Sequence, residues 1–267
     1  MGRYNMGVFP FIEFIMTSQI RQIQKLLAGL FLLSALLLSG CATNPVTGKS
    51  DLVLMSEQQE IDLGQQSHQQ LLQAYPVYDD SELQTYVNNL GQKLALASHR
   101  SHLDYTFTVL DSPDVNAFAA PGGFIYITRG IMAYMNSEEE LAGVLGHEIG
   151  HVTARHAVRR QTAQAGAGLF SVVVAMATGS ADAGRAASQA AGAFTSGYGR
   201  SHELEADRLG AEYLARTGYD PQKMLDVVGI LKDQEEFEKQ RAREENRAPR
   251  NYHGVFASHP KNDTRLQ

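Results

Sequence analysis

Cysteine occurs once in the 267 residues, at Cys41, so no disulfide can close within the chain. No long membrane-crossing run is present either: the apolar stretch from Leu26 to Leu38 stops at 13 residues, short of the ~20 a spanning helix needs. A basic surplus is also missing. The chain holds 23 Lys and Arg against 29 Asp and Glu, and beyond residue 40 the balance is 20 against 28, net −8. Such an acidic body repels phosphate backbones, and no basic stripe interleaves with aromatics, which excludes nucleic acid as a partner. No internal repeat is present. With 43% hydrophobic and 19% charged residues the chain is too apolar for disorder, and its length suits one good-sized domain or two small ones.

The lone cysteine is more telling by position than by number. Arg21 and Lys25 precede the apolar run, and Leu38-Ser39-Gly40-Cys41 follows it. A charged start, a short apolar core and small residues before a cut form the layout of a secretory signal peptide. Cysteine directly after Leu-Ser-Gly resembles the bacterial lipobox, which implies that Cys41 is acylated and becomes the new N-terminus. Ala42, not Asp, follows it, and by resemblance to enterobacterial lipoproteins this favours the outer membrane. The plainer alternative is a cleaved signal or an N-terminal membrane helix with an incidental cysteine. Residues 1–15 fit badly before this signal, because Phe9 to Ile15 is apolar and the basic groups come later; Met16 is the better start. Residues 1–40 therefore read as signal peptide, 41–55 as a lipid-anchored tether with turns at Asn44-Pro45 and Thr47-Gly48, and 56–267 as the folded domain.

Within that domain Ser56 with Gln59 reads as a capping box, opening a helix to about Ala74. A second helix after Ser81 carries Leu83, Val87, Leu90 and Leu94 at three- and four-residue spacing, one buried face. Tyr105 to Leu110, Asn116 to Ala120 and Phe124 to Thr128 read as strands around turns at 111–114 and Gly122-Gly123. Ser137 with Glu140 makes a second capping box for a helix continuing past Val152. Residues 162–199, rich in Ala, Gly and Ser, read as a helical hairpin, a mobile lid or a surface touching lipid, and the glycines favour flexibility. A helix from Ser201 to Thr217 ends at Gly218. Another starts at Asp220-Pro221 with Met224, Leu225, Val228 and Leu231 inward, and the mixed charges from Asp233 to Arg250 read as a solvated face or loop. The fold class is α+β: predominantly helical, with a small sheet flanking the helix that starts at Ser137.

That helix carries Gly146-His147-Glu148-Ile149-Gly150-His151. Residues i and i+4 lie on one helix face, about 6 Å apart along the axis, so two imidazoles can converge on one ion. Glu148 can then take the proton of a metal-held water. A catalytic zinc site needs a third protein ligand. The metzincin position for it, ten residues after His147, is Ala157, and Ala154 stands where that pattern has Gly; His156 is off by one and reads as a packing residue. A glutamate from a later helix is the other solution. Glu203 and Asp207, again i and i+4, fit it: Glu203 as ligand, Asp207 accepting a proton from the non-ligating nitrogen of a liganding His. Glu205 points off that face and reads as solvated.

Taken together, these motifs, with Ser258-His259-Pro260 and Arg265, resemble the gluzincin metallopeptidases related to HtpX and the CAAX prenyl endopeptidases, metallopeptidase family forty-eight. Asn44-Pro45-Val46-Thr47-Gly48 and Asn116-Ala117-Phe118-Ala119-Ala120-Pro121-Gly122-Gly123 match its secreted bacterial branch. The resemblance covers about residue 42 to the C-terminus. It implies a zincin fold and one Zn²⁺ per subunit on His147, His151 and Glu203, with Glu148 as base and Asp207 supporting. It further implies that His259 lies near the metal, as oxyanion stabiliser or as a fourth ligand holding the enzyme latent, with Arg265 supporting the same cleft. The chain departs from membrane-embedded members in lacking several apolar spans, and from larger secreted ones in ending at Gln267 without a helical-repeat domain.

The expected function is a zinc-dependent endopeptidase of the bacterial cell envelope, an outer-membrane lipoprotein facing the periplasm. By resemblance its substrates are misfolded or stalled envelope proteins, including outer-membrane β-barrel subunits, and the outer-membrane protein assembly machinery is an expected partner. The peptide would add as a strand along Asn116, Ala117, Phe118 and Ala119, read mainly through its backbone; the competing reading makes that block plain core support. A chaperone-like lipoprotein that holds clients over a latent zinc site is the alternative function. A purely structural zinc ranks last, since such sites are usually closed by four Cys or His.

Overall fold

A computed structural model describes residues 41–247. Residues 1–40, expected to be a signal peptide, and residues 248–267, which include His259 and Arg265, lie outside the described residues. The segment expected as a tether forms a two-stranded antiparallel hairpin, β1 (Cys41–Thr43) and β2 (Ser50–Leu52). Asn44 builds its turn: the side-chain oxygen accepts from the Val46 and Thr47 amides, both at 2.9 Å.

Helix α1 (Glu57–Ala74) begins at the capping box, with Ser56 and Gln59 bonded reciprocally. Helix α2 (Ser81–Leu96) is capped by Asp80, whose carboxylate accepts from the Leu83 amide at 2.9 Å, and buries Val87, Leu90 and Leu94. Strands β3 (Thr106–Leu110), β4 (Ala117–Ala120) and β5 (Phe124–Thr128) form one sheet in the order β3-β5-β4. β3 runs parallel to β5 and β4 antiparallel to it, Ala117 facing Ile127 and Ala120 facing Phe124. The β4–β5 connection is a single turn, Pro121–Gly123, in which Gly122 and Gly123 hold φ of 77° and 103°, a region other residues enter at a cost.

After the short α3 (Arg129–Met132), α4 (Glu138–Thr153) passes through the middle of the molecule. Every residue from Glu140 to Thr153 is buried, and α2, the sheet and two later helices enclose it. Its cap differs in one bond from expectation. Ser137 accepts from the Glu140 amide at 3.2 Å, but the Glu140 carboxylate accepts from the Asn136 amide, at 2.7 Å. Arg155, at φ 54°, then breaks the helix in a left-handed conformation.

The Ala/Gly-rich stretch is a helical hairpin: α5 (His156–Thr178), a turn at Gly179, and α6 (Ala181–Arg216). Flexibility, favoured on composition, gives way to packing, because α5 and α6 lie against each other and α6 also lies against α4. Helix α7 (Lys223–Glu244) buries Met224, Val227 and Val228. Leu225, expected inward, is 53% exposed; it stands one residue, about 100° of rotation, from Met224. Among the described residues no helix is long and apolar enough to cross a membrane.

One ion network lies inside the core. The Arg100 guanidinium, with its side chain fully buried, donates to both carboxylate oxygens of Glu60 at 2.8 and 3.2 Å, to Glu57 at 2.8 Å and to the Val152 carbonyl at 3.0 Å. Arg155 donates to the same Glu60 at 2.8 Å and to the Met55 carbonyl at 2.8 Å. Two buried cations thus share one buried carboxylate, and the network closes the C-terminal end of α4. Removing one partner of a buried pair costs about 3–5 kcal/mol, a large part of the ~5–15 kcal/mol of a typical domain. Glu60→Ala is therefore expected to lose that much in urea unfolding; a loss under about 1 kcal/mol would show the network to be dispensable.

Candidate metal centre

On α4, His147 and His151 stand one turn apart and their rings meet edge to face, 4.6 Å between centroids. Their Nε2 atoms are 3.0 Å apart. Glu203 reaches the pair from α6: one carboxylate oxygen is 3.5 Å from His147 Nε2, the other 3.5 Å from His151 Nε2. The convergence depends on how closely α4 and α6 cross. A Cβ on Gly150 would sit 2.9 Å from the Ala206 carbonyl oxygen, and one on Gly210 3.0 Å from the His147 amide nitrogen. Only hydrogen at these positions lets the helices touch backbone to backbone, which is what brings a carboxylate on α6 within reach of the imidazoles.

The three donor groups can hold one ion. A tetrahedral ion with ligand distances of about 2.0–2.2 Å holds its donors about 3.3–3.6 Å apart; the two Nε2 atoms are 3.0 Å apart, each has one of the two Glu203 oxygens 3.5 Å away, and one donor atom from each of the three residues lies within 4.8 Å of the others. Electrostatics agree. Glu203 is 2% exposed, and Glu148, His147 and His151 are buried beside it; carboxylates gathered out of water call for a cation. Asp207 stands 2.9 Å from His147 Nδ1. With the hydrogen on Nδ1 donated to that carboxylate, Nε2 keeps its lone pair for the ion.

Glu148 is turned away from α6, toward a cavity of about 440 Å³ that it lines together with His151, Phe118, Ala119, Ala120 and Pro121. β4 is an edge strand of its sheet, so the cavity runs from His151 to a strand edge. Of the four residues expected to meet a peptide, Phe118 and Ala119 border this space. Ala117 turns into the core, and Asn116 is tied by its amide to the Thr128 hydroxyl at 3.1 Å; neither lines the cavity. Strand alternation separates Ala117 from Phe118. Phe118 itself is held by stacking on Tyr126, 4.9 Å between centroids.

His156, expected to cap or pack, does pack, whereas Glu205 is not where sequence places it. His156, fully buried, places its Nδ1 2.8 Å from His151 Nδ1 and its Nε2 3.2 Å from Glu205. Glu205, expected in solvent, is held by His156 and by the Arg159 guanidinium at 3.0 Å, and the hydrogen bond from His156, then that from Arg159, draw its carboxyl down to about 2. His202 stacks on His156 at 4.1 Å, and burial pushes its imidazole down to about 3. On an unbroken helix i and i+5 lie about 140° apart, so spacing gives no hint of the His151–His156 contact. The break at Arg155 creates it.

Comparison with known proteins places this geometry. Residues 81–267 match the model of peptidase family M48. The chain is 33% identical over 236 residues to the beta-barrel assembly-enhancing protease of Escherichia coli (strain K12), covering 84% of this chain and 46% of that protein. It is 32% identical over 139 residues to the metalloprotease YcaL of the same organism (49% and 52% covered), and 30% identical over 145 residues to the mitochondrial metalloendopeptidase OMA1 of Arabidopsis thaliana (54% and 29% covered). The chain thus spans about half the length of the first of these relatives. With the match running across α2, the sheet, the two-histidine helix and the Glu203 helix, the chain belongs to peptidase family M48.

Proposed function

We propose that this chain is a zinc-dependent endopeptidase of the bacterial cell envelope, acting on misfolded or stalled envelope proteins, outer-membrane β-barrel subunits among them. The observation that carries the reading is the meeting of His147, His151 and Glu203, with His151 opening onto a cavity that Glu148 and an edge strand also border. His147, His151 and Glu203 would hold the zinc, which when bound supplies Lewis acidity, lowering the pKa of water and polarising a carbonyl. Two imidazoles and a carboxylate, without cysteine, leave the open coordination of a catalytic site and not the closed set of a structural one.

The protein's own groups do the rest. Glu148 accepts the proton of the attacking water and returns it to the leaving amine. Asp207 keeps His147 in the Nδ1–H tautomer. An extended peptide lies antiparallel or parallel to β4 and is held through main-chain hydrogen bonds, so sequence preference is loose. Phe118 and Ala119 provide the wall against which its side chains alternate. His259 and Arg265 belong to the same cleft in this reading, as the resemblance implies. The location rests on the lipobox at Cys41, which anchors the chain to the outer membrane with its body in the periplasm. The printed name of the Escherichia coli relative supports barrel assembly as the process served, and makes the assembly machinery the candidate partner.

Glu148→Gln is expected to lower cleavage of casein or an unfolded porin by about 10²–10⁴-fold, with zinc content by metal analysis unchanged. Retained cleavage would remove Glu148 as base; retained envelope function in cells without cleavage would favour client holding over hydrolysis. Asp207→Ala is expected to weaken zinc binding by about 10–100-fold in a chelator competition. Chelator-treated protein should cleave neither substrate and regain activity on adding zinc. Intact protein that binds no metal would overturn the proposal.

A further inference from the structure

The two imidazoles of the metal helix are held at Nδ1 by different devices. His147 has a carboxylate, Asp207. His151 instead faces the Nδ1 of another histidine, His156, at 2.8 Å; His156 Nε2 lies 3.2 Å from Glu205, and Glu205 accepts from Arg159 at 3.0 Å. Arg159 also stands 3.5 Å from Asp51 in the N-terminal hairpin. The donor and acceptor roles along this row follow from one requirement. If His151 Nε2 offers its lone pair to an ion, its hydrogen is on Nδ1 and points at His156. His156 Nδ1 must then be the acceptor, its hydrogen is on Nε2, and that hydrogen meets a carboxylate oxygen. Each bond in the row has one donor and one acceptor, and no other assignment that leaves His151 Nε2 free gives a complete set with neutral rings.

We infer that His156 and Glu205 form a positioning pair for His151: they fix its tautomer and ring angle as Asp207 does for His147. The inference rests on the zinc reading of the site. Three features of the fold serve this pair. Arg155 holds the left-handed backbone that turns His156 back onto His151. His202 stacks flat on the His156 ring, 14° from parallel, and blocks its rotation. Glu203 and Glu205, about 200° apart around α6, meet different helices: Glu203 reaches His147 and His151 on α4, Glu205 reaches His156 and Arg159 on α5. The short run Glu203-Leu204-Glu205-Ala206-Asp207 therefore supplies a ligand and the outer partners of both histidines.

Four substitutions in the full-length protein test this, read by zinc affinity in chelator competition, the absorption spectrum of the cobalt-substituted protein, and kcat and KM separately. His156→Phe keeps volume and stacking and removes the acceptor; Glu205→Leu removes the end of the row. Both are expected to bind zinc about 10–100-fold more weakly, to shift the cobalt spectrum, and to lower kcat with KM little changed. His156→Gln, whose amide oxygen can accept from His151 while its nitrogen donates to Glu205, and Glu205→Gln, which keeps an acceptor for His156, should stay within about threefold of the parent in affinity. In the zinc-loaded parent, imidazole nitrogen NMR should place the His156 hydrogen on Nε2. Parent-like affinity and spectrum in His156→Phe and Glu205→Leu would overturn the pair, as would a hydrogen on His156 Nδ1. If His156→Phe does not fold, the Glu205→Leu and Glu205→Gln comparison decides alone. A parent protein that takes up no zinc or cobalt is a different result: it overturns the metal centre itself.

Discussion

Two helices that touch backbone to backbone hold the rest of this structure in place. α4 presents His147 and His151 one turn apart, and α6 presents Glu203 and Asp207 with the same spacing. Two such matched pairs engage only when the helices lie close enough for a glutamate to span the gap, and the room comes from the missing Cβ atoms at Gly146, Gly150 and Gly210. Glycine within a helix costs about 1 kcal/mol relative to alanine, so these positions work against local propensity. The site geometry they permit, and the tight packing of Leu145, Ile149 and Leu209 around them, offset that cost.

The far end of α4 is set by a different interaction. Arg100 donates to the Val152 carbonyl while it and Arg155 share Glu60. This pins the last turn of the metal helix and the left-handed residue that follows it, and so fixes where His156 stands relative to His151. Glu60 also borders the cavity. The network thus joins α1, the loop at Arg100 and the α4–α5 break into one frame.

Which parts were legible in the sequence follows from this division. Contacts repeating at i and i+4 within one helix leave a spacing that can be read: His147 with His151, Glu203 with Asp207, and the α2 face of Val87, Leu90 and Leu94. Caps at Ser56 and Ser137 and the strand alternation at 106–110 and 124–128 are local as well, and their bounds were read to within a residue or two. His156, Glu205, Arg100 and Glu60 carry no such mark. Their partners lie across a helix break or 40 or more residues away, and Glu205 reads as solvated until a second helix is known to cover its face. The 162–199 segment misled for a related reason. Its glycines describe a chain free in water, whereas in the fold its two helices lie against each other.

The weak periodicity of α4 is itself a consequence of the chemistry. A surface helix shows one apolar stripe; this helix offers His147 and His151 to α6, Glu148 to the cavity and apolar side chains to α2 and the sheet. His147 and Glu148, adjacent in sequence and about 100° apart on the helix, cannot both face the same neighbour. His147 and His151 therefore meet Glu203 of α6 while Glu148 borders the cavity beside β4, and a helix enclosed on every side serves both. Enclosure in turn places Glu203, Glu148 and two imidazoles out of water, where a bound cation would balance the carboxylates. Metal binding and the stability of the centre are then one equilibrium, each tenfold rise in free ion above its dissociation constant adding about 1.4 kcal/mol to the folded state.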